Sequence, residues 1–292
     1  MIMDSLVVSG NRATARSYAK INLTLDVLGK RPDGYHDVEM IMQTVSLHDI
    51  ITVDKTDSGI SIETNLVYLP VNEKNIAYKA AVAFFEHTKI DGGCSISIEK
   101  NIPVAAGLAG GSGNAAAVLC ALDRLYNTSL PISTLKTIGA TLGADVPYCF
   151  SGGTALATGI GEILTPLPSI PKCTILMVKP AISVSTGAIY EAIDSAPIEK
   201  RPDTNAMVSA IEAGDIKCIA ENLSNVMGTV TENMHPIVRG IRRKMILNGA
   251  IGAVMSGSGP TVFGIFPDYE TAKASHDSFY YQFREVYIVS TV

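Results

Sequence analysis

The stretch Pro103-Val104-Ala105-Ala106-Gly107-Leu108-Ala109-Gly110-Gly111-Ser112-Gly113-Asn114 decides how this chain is read. Four glycines fall in seven positions, between a segment with strand character (residues 95–99) and an alanine-rich run (114–126) that reads as a helix. Glycine lets the backbone approach a ligand closely, and a helix start turns free N–H groups and a positive dipole end toward an anion. Ser112 adds a hydroxyl for a phosphate oxygen or a magnesium ion. Residues 103–113 therefore read as a phosphate loop, with a tight turn packed on a helix as the plainer alternative. No Lys-Ser/Thr ending marks a Walker loop, and no Gly-x-Gly-x-x-Gly marks a dinucleotide site. A Gly-x-Ser-x-Gly hydrolase elbow does not fit either.

Upstream, Ala19, Ile21, Leu23, Leu25 and Val27 alternate with Lys20, Asn22, Thr24 and Asp26, the pattern of a strand with one buried face. Residues 29–34 read as a turn. Strands are expected over 38–46, 49–54 and 60–63, and a helix over 75–87. Downstream, Ser133 is placed as the cap of a helix ending near Gly143, and strands follow at 154–158 and 174–178. Pro166, Pro168 and Pro171 mark a junction near residue 165. Helices are expected at 188–193, 205–213, 236–248 and 269–279, with strands at 253–255, 262–266 and 286–289. The mixture is α+β, divided into domains at 1–165 and 166–292.

The bulk numbers narrow the class. An apolar fraction of 47% against 17% charged residues suits a compact protein with a sizeable core. The longest apolar run, 115–122, falls short of the roughly 20 residues that span a bilayer, and the first residues do not resemble a signal peptide. A cytoplasmic protein without a membrane partner is expected. A net charge of −5 argues against nucleic acid as a partner. Cys94, Cys120, Cys149, Cys173 and Cys218 are scattered without a Cys-x-x-Cys pair, so reduced, packed thiols are expected.

A second cluster, Ser256-Gly257-Ser258-Gly259-Pro260, follows a short apolar strand and reads as a turn or, combined with the first loop, as a second glycine loop (Gly257, Ser258, Gly259) closing the same cleft from the second domain. Taken alone, Asp145 reads as a turn or cap residue and Lys20 as a solvated strand lysine.

The order Ala19-Lys20-Ile21-Asn22-Leu23, Asp33-Gly34-Tyr35-His36, the loop at 103–113, Gly143-Ala144-Asp145-Val146-Pro147 and Met255-Ser256-Gly257-Ser258-Gly259-Pro260 resembles the GHMP kinase superfamily, which includes galacto-, homoserine, mevalonate and phosphomevalonate kinases. The resemblance runs from about Ala15 onward. Asp-Gly-Tyr-His after Ala-Lys-Ile-Asn is similar to the branch whose acceptor carries a diphosphocytidyl group. The resemblance implies a two-domain α+β fold with the active site in the inter-domain cleft, ATP with Mg²⁺ as donor, and diphosphocytidyl methylerythritol as the small-molecule acceptor. It implies Asp145 as catalytic base and Lys20 as its cationic partner. ATP would be held by the loop and by Asn75, whose plainer role is a helix N-cap. Ser112 would serve as the magnesium-side hydroxyl. Tyr35 and His36 would bind cytosine, with Asn22, Thr186 and Tyr190 nearby. A monomer or homodimer is expected. The alternatives are another GHMP kinase, acting on mevalonate, homoserine or a sugar, or a nucleotide-binding protein without activity. Two positions depart from the family pattern: Ala109 replaces a common glycine, and Gly113 stands where a second serine is usual.

Overall fold

The computed structural model describes residues 2–292. A short helix α1 (Ile2–Ser5) and strand β1 (Val7–Ser9) lead into two long strands, β2 (Arg12–Lys30) and β3 (His36–Thr56). Next come β4 (Gly59–Thr64), α2 (Ile76–Thr88), β5 (Gly93–Glu99), α3 (Gly110–Leu125), α4 (Ile132–Leu142) and α5 (Val146–Ser151). β6 (Thr154–Thr158), β7 (Ile163–Pro166) and β8 (Thr174–Lys179) precede α6 (Thr186–Ser195), α7 (Thr204–Ala213) and α8 (Ile216–Glu221). The remainder is β9 (Ser224–Asn225), α9 (Val226–Met234), α10 (Pro236–Leu247), β10 (Gly252–Met255), β11 (Val262–Phe266), α11 (Tyr269–Tyr280) and β12 (Glu285–Ser290). No described helix is long and apolar enough to cross a membrane.

Packing divides the chain into two compact units made of interleaved segments. The first holds the residues up to Ala19, Leu47–Val104 and Ala109–Gly152; the second holds Lys20–Ser46, Ala105–Leu108 and Gly153–Val292. The junction expected near 165 falls inside the second unit. Compactness does not follow a single cut because β2 and β3 each run from one unit into the other.

In the first unit, β5 pairs antiparallel with the distal half of β3, from Ile50↔Glu99 to Thr56↔Gly93, and parallel with β4. Helices α2 to α5 pack together around α3. The Ala115–Ala117 run and its neighbours leave α3 buried on nearly every side, from Gly113 to Asp123. Small side chains allow that close approach from all directions. In the second unit, a four-stranded antiparallel sheet runs β10-β11-β8-β12, with α10 and α11 packed on it. Also in this unit, β6 pairs with β3 and β7, and β9 pairs in parallel with β2 at Thr24↔Ser224 and Leu25↔Asn225.

Several sequence expectations are corrected. β2 is buried on both faces, because Lys20, Asn22, Thr24 and Asp26 are as enclosed as the apolar residues between them. The polar face survives burial by pairing. Lys20 Nζ donates to Asn22 Oδ1 at 2.7 Å, Thr24 Oγ1 accepts from Ile41 N at 3.1 Å, and Asp26 takes Arg201 Nη1 at 2.6 Å. β3 is one strand where two were expected. Ser133 lies inside the first turn of α4, whose N-cap is Pro131, without a side-chain capping bond. The cysteines are all free thiols, and burial pushes Cys94 and Cys120 up to about 12 and Cys173 to about 11.

Asp49, expected at the start of a separate strand, lies within β3. Its carboxylate is wholly buried, accepts from Asn101 N and Ile102 N at 2.7 Å each, and takes Lys100 Nζ at 2.5 Å. Burial pushes the Lys100 ammonium below its ordinary range, and Asp49 opposes that push. This cluster ties β3 to the residues immediately before the glycine-rich stretch. Replacing Asp49 with Ala strands a buried charge and two N–H groups, with an expected loss of about 3–5 kcal/mol in chemical denaturation. Adding Lys100→Met should recover part of that loss.

Candidate active site

The two glycine clusters meet within the second unit. Gly107, at φ +75°, presents its carbonyl to the Ser256 hydroxyl at 3.0 Å. A Cβ on Gly107 would stand 2.2 Å from the Ser256 carbonyl oxygen, so only glycine fits there. The second loop has its own frame. Ser256 N donates to Thr261 O at 2.9 Å, and Asn225 Nδ2 bonds the carbonyls of Met255 and Gly257 at 2.7 and 2.8 Å. Lys20 N donates to Leu108 O at 3.1 Å, which fastens the loop to β2. Lys20 itself is 4% exposed, so it is not the solvated strand lysine that its pattern suggests.

Helix α6 gathers three polar side chains on one face. Ser185 caps it by accepting from Ala188 N. Thr186 Oγ1 lies 2.8 Å from Ser258 Oγ on the second glycine loop. Tyr190 stacks on His36, with centroids 4.6 Å apart and planes 19° from parallel. Asp194, which sequence reasoning missed, meets His36 Nε2 at 2.7 Å and Lys30 Nζ at 2.9 Å. Lys30 first, and then His36, hold the Asp194 carboxyl below the usual carboxylate range. Residues 186, 190 and 194 share one helical face, the pattern that would have revealed Asp194. Tyr35 and His36 part company: Asp33 Oδ1 accepts from Tyr35 N in the turn, the Tyr35 ring is 61% exposed, and His36 is buried. Arg201, also missed, reaches Asp26 and the carbonyl of Val27.

In the first unit, α3 begins at Gly110, inside the glycine-rich stretch, with Ala109 as its N-cap at φ +53°. Gly111 and Ser112 lie in its first turn, open to solvent and half-buried respectively. Lys100 Nζ lies under this turn, 2.7 Å from where a Cβ on Gly110 would stand. Gly113 has a local cause. A Cβ there would stand 2.4 Å from Ser17 Oγ, so the buried hydroxyl of Ser17 occupies the space beside it. Asp145 precedes α5 as its N-cap residue but makes no side-chain capping bond. Asn75 caps α2 by accepting from Ala77 N at 3.0 Å and donates to Pro70 O at 2.9 Å, so its amide is engaged at both ends.

Family models agree with this architecture. The GHMP kinases N terminal domain matches residues 75–153, and the GHMP kinases C terminal model matches 207–283. Relatives align with nearly the whole chain, and the chain belongs to the GHMP kinase family, a class of phosphotransferases with a two-domain α+β fold. It is 51% identical over 278 residues, 94% of this chain and 95% of the relative, to the 4-diphosphocytidyl-2-C-methyl-D-erythritol kinase of Alkaliphilus oremlandii. The same-named kinase of Alkaliphilus metalliredigens is 48% identical, over 94% of this chain and 95% of its own. A crystal structure of 4-(cytidine 5'-diphospho)-2C-methyl-D-erythritol kinase superposes with a TM-score of 0.82 at 31% identity, covering 95% of this chain and 98% of that one.

Gly107→Ala should cost on the order of 2–4 kcal/mol, because it combines a left-handed alanine with a backbone clash. Ala109→Gly, where φ is already positive, should leave the thermal midpoint nearly unchanged; differential scanning calorimetry separates the two. Gly113→Ser should destabilise the protein by about 1–3 kcal/mol, and the loss should shrink when Ser17 is also changed to Gly, a coupling that a double-mutant cycle measures.

Proposed function

We propose that the chain transfers the γ-phosphate of ATP to the 2-hydroxyl of 4-diphosphocytidyl-2-C-methyl-D-erythritol, in the non-mevalonate route to isoprenoid precursors. The extent of the likeness carries this reading: kinases named for that acceptor match about half of the residues over 94% of the chain. The proposal includes a cytoplasmic location and family domains at 1–165 and 166–292, each of which contains one matched family model.

ATP phosphates rest on residues 103–113, where the backbone N–H groups at the start of α3 supply donors and a favourable dipole. Asn75 is assigned to the nucleotide as well. Asp145 accepts the proton of the 2-hydroxyl as its oxygen attacks the γ-phosphorus in line and the bond to ADP breaks. Lys20 favours the ionised carboxylate and stabilises charge on the attacking oxygen. Tyr35, His36 and Tyr190 hold the cytosine, with Asn22, Thr186 and the second glycine loop (Gly257, Ser258, Gly259) lining the acceptor side.

Among the described residues no group of three or more His, Cys, Asp or Glu side chains is placed to hold a metal. A magnesium ion carried largely by phosphates and water would need few protein donors, and Ser112 offers a hydroxyl. Bound there, magnesium would neutralise charge on the β- and γ-phosphate oxygens.

An ADP-release assay with diphosphocytidyl, mevalonate and homoserine acceptors is expected to show turnover with the first alone. Asp145→Asn should lower kcat by roughly 10²–10⁴-fold. Turnover by that variant at the unmodified rate would remove Asp145 from the mechanism.

A further inference from the structure

Tyr190 and Asp194, one turn apart on α6, close on a single imidazole. Tyr190 lies flat against the His36 ring and Asp194 Oδ1 meets Nε2, while Lys30 Nζ holds Asp194 Oδ2. The stacked ring fixes the plane of the imidazole, and the carboxylate fixes its rotation within that plane. The carboxylate also fixes the proton. An ionised carboxylate has only acceptor oxygens, so Nε2 carries a hydrogen and donates it to Asp194. In the neutral ring Nδ1 is then an acceptor, and none of the described residues pairs with it.

We propose that Asp194, braced by Lys30, sets His36 as a hydrogen-bond acceptor that selects the amino edge of cytosine and rejects uracil. This rests on the diphosphocytidyl acceptor proposed above. Cytosine carries an amino donor where uracil carries a carbonyl oxygen, the same contrast that distinguishes pyrimidines in a nucleic-acid groove. Opposite Nδ1, the amine completes a hydrogen bond, whereas the carbonyl sets lone pairs against a lone pair. A base that meets Nδ1 edge-on extends the imidazole plane and runs parallel to Tyr190. Asp194 touches no substrate in this scheme; it is a positioning residue that acts through His36.

CDP and UDP, measured as inhibitors against the diphosphocytidyl acceptor at saturating ATP, test the proposal. The unmodified enzyme is expected to prefer CDP by about 10²-fold or more. Asp194→Ala should reduce that preference at least tenfold with the KM for ATP unchanged. Asp194→Asn, which keeps a carbonyl oxygen for Nε2–H, should retain most of it. Nitrogen-15 NMR of the unmodified enzyme at pH 8 should find the His36 proton on Nε2. An Ala variant with undiminished preference, or an imidazole protonated on Nδ1 alone, overturns the proposal. Should the Ala variant fail to fold, the NMR tautomer and the Asn variant decide in the same way. An unmodified enzyme that neither binds CDP nor phosphorylates the diphosphocytidyl acceptor overturns the functional reading itself, and the proposal with it.

Discussion

Gly107 and the Ser256 carbonyl approach so closely that one carbon added to Gly107 would separate them. That contact closes a circuit. Leu108, the next residue, is bonded to Lys20 on β2. β2 pairs with β9 at Thr24 and Leu25, and β9 supplies Asn225. Asn225 in turn holds the carbonyls on either side of Ser256. Four segments distant in sequence therefore constrain one another, through the backbone of Gly107, Leu108 and Lys20 and through the side chains of Asn225 and Ser256. Much of the chemistry assigned to this unit hangs on that ring of contacts.

α6 extends the same frame. Its Thr186 meets the second glycine loop, and its Tyr190 and Asp194 grip His36. At 1.5 Å per residue, the eight steps from Thr186 to Asp194 rise about 12 Å. A rigid helix thus sets the distance between the glycine loop and the imidazole, and neither contact depends on a flexible connection.

Much of this was legible in the sequence, and the gaps have physical causes. Glycine spacing marked the stretch, and at Gly107 the cause is plain, since positive φ and the close Ser256 carbonyl leave no room for another residue. Period-two alternation located β2 but misjudged its polar face. The partners that make burial of that face tolerable, Ile41 and Arg201 among them, are remote in sequence, and alternation reports only which residues are apolar. β3 was read as two strands, 38–46 and 49–54; Asp49, expected to open the second, is carried inside one continuous strand by Lys100 and the N–H groups of Asn101 and Ile102, all remote in sequence. The short elements α5, α8 and α9 escaped notice, since six to nine residues offer too few periods for a pattern to emerge. Gly113, a departure from the family in sequence, finds its reason only in three dimensions, beside Ser17.

Residues 44–46 on β3 are completed by partners at 290–292: Ser290 N donates to the Ser46 hydroxyl, Val45 bridges to Thr291, and Val292 N donates to Thr44 O. Ser46 and Ser290 are 244 positions apart in the sequence. A ribosome must therefore add every intervening residue before this seam can be sewn, and until then residues 44–46 of β3 wait without these partners. Such late, long-distance closure makes for slow folding and leaves the nascent chain open to mispairing until its last residues are in place.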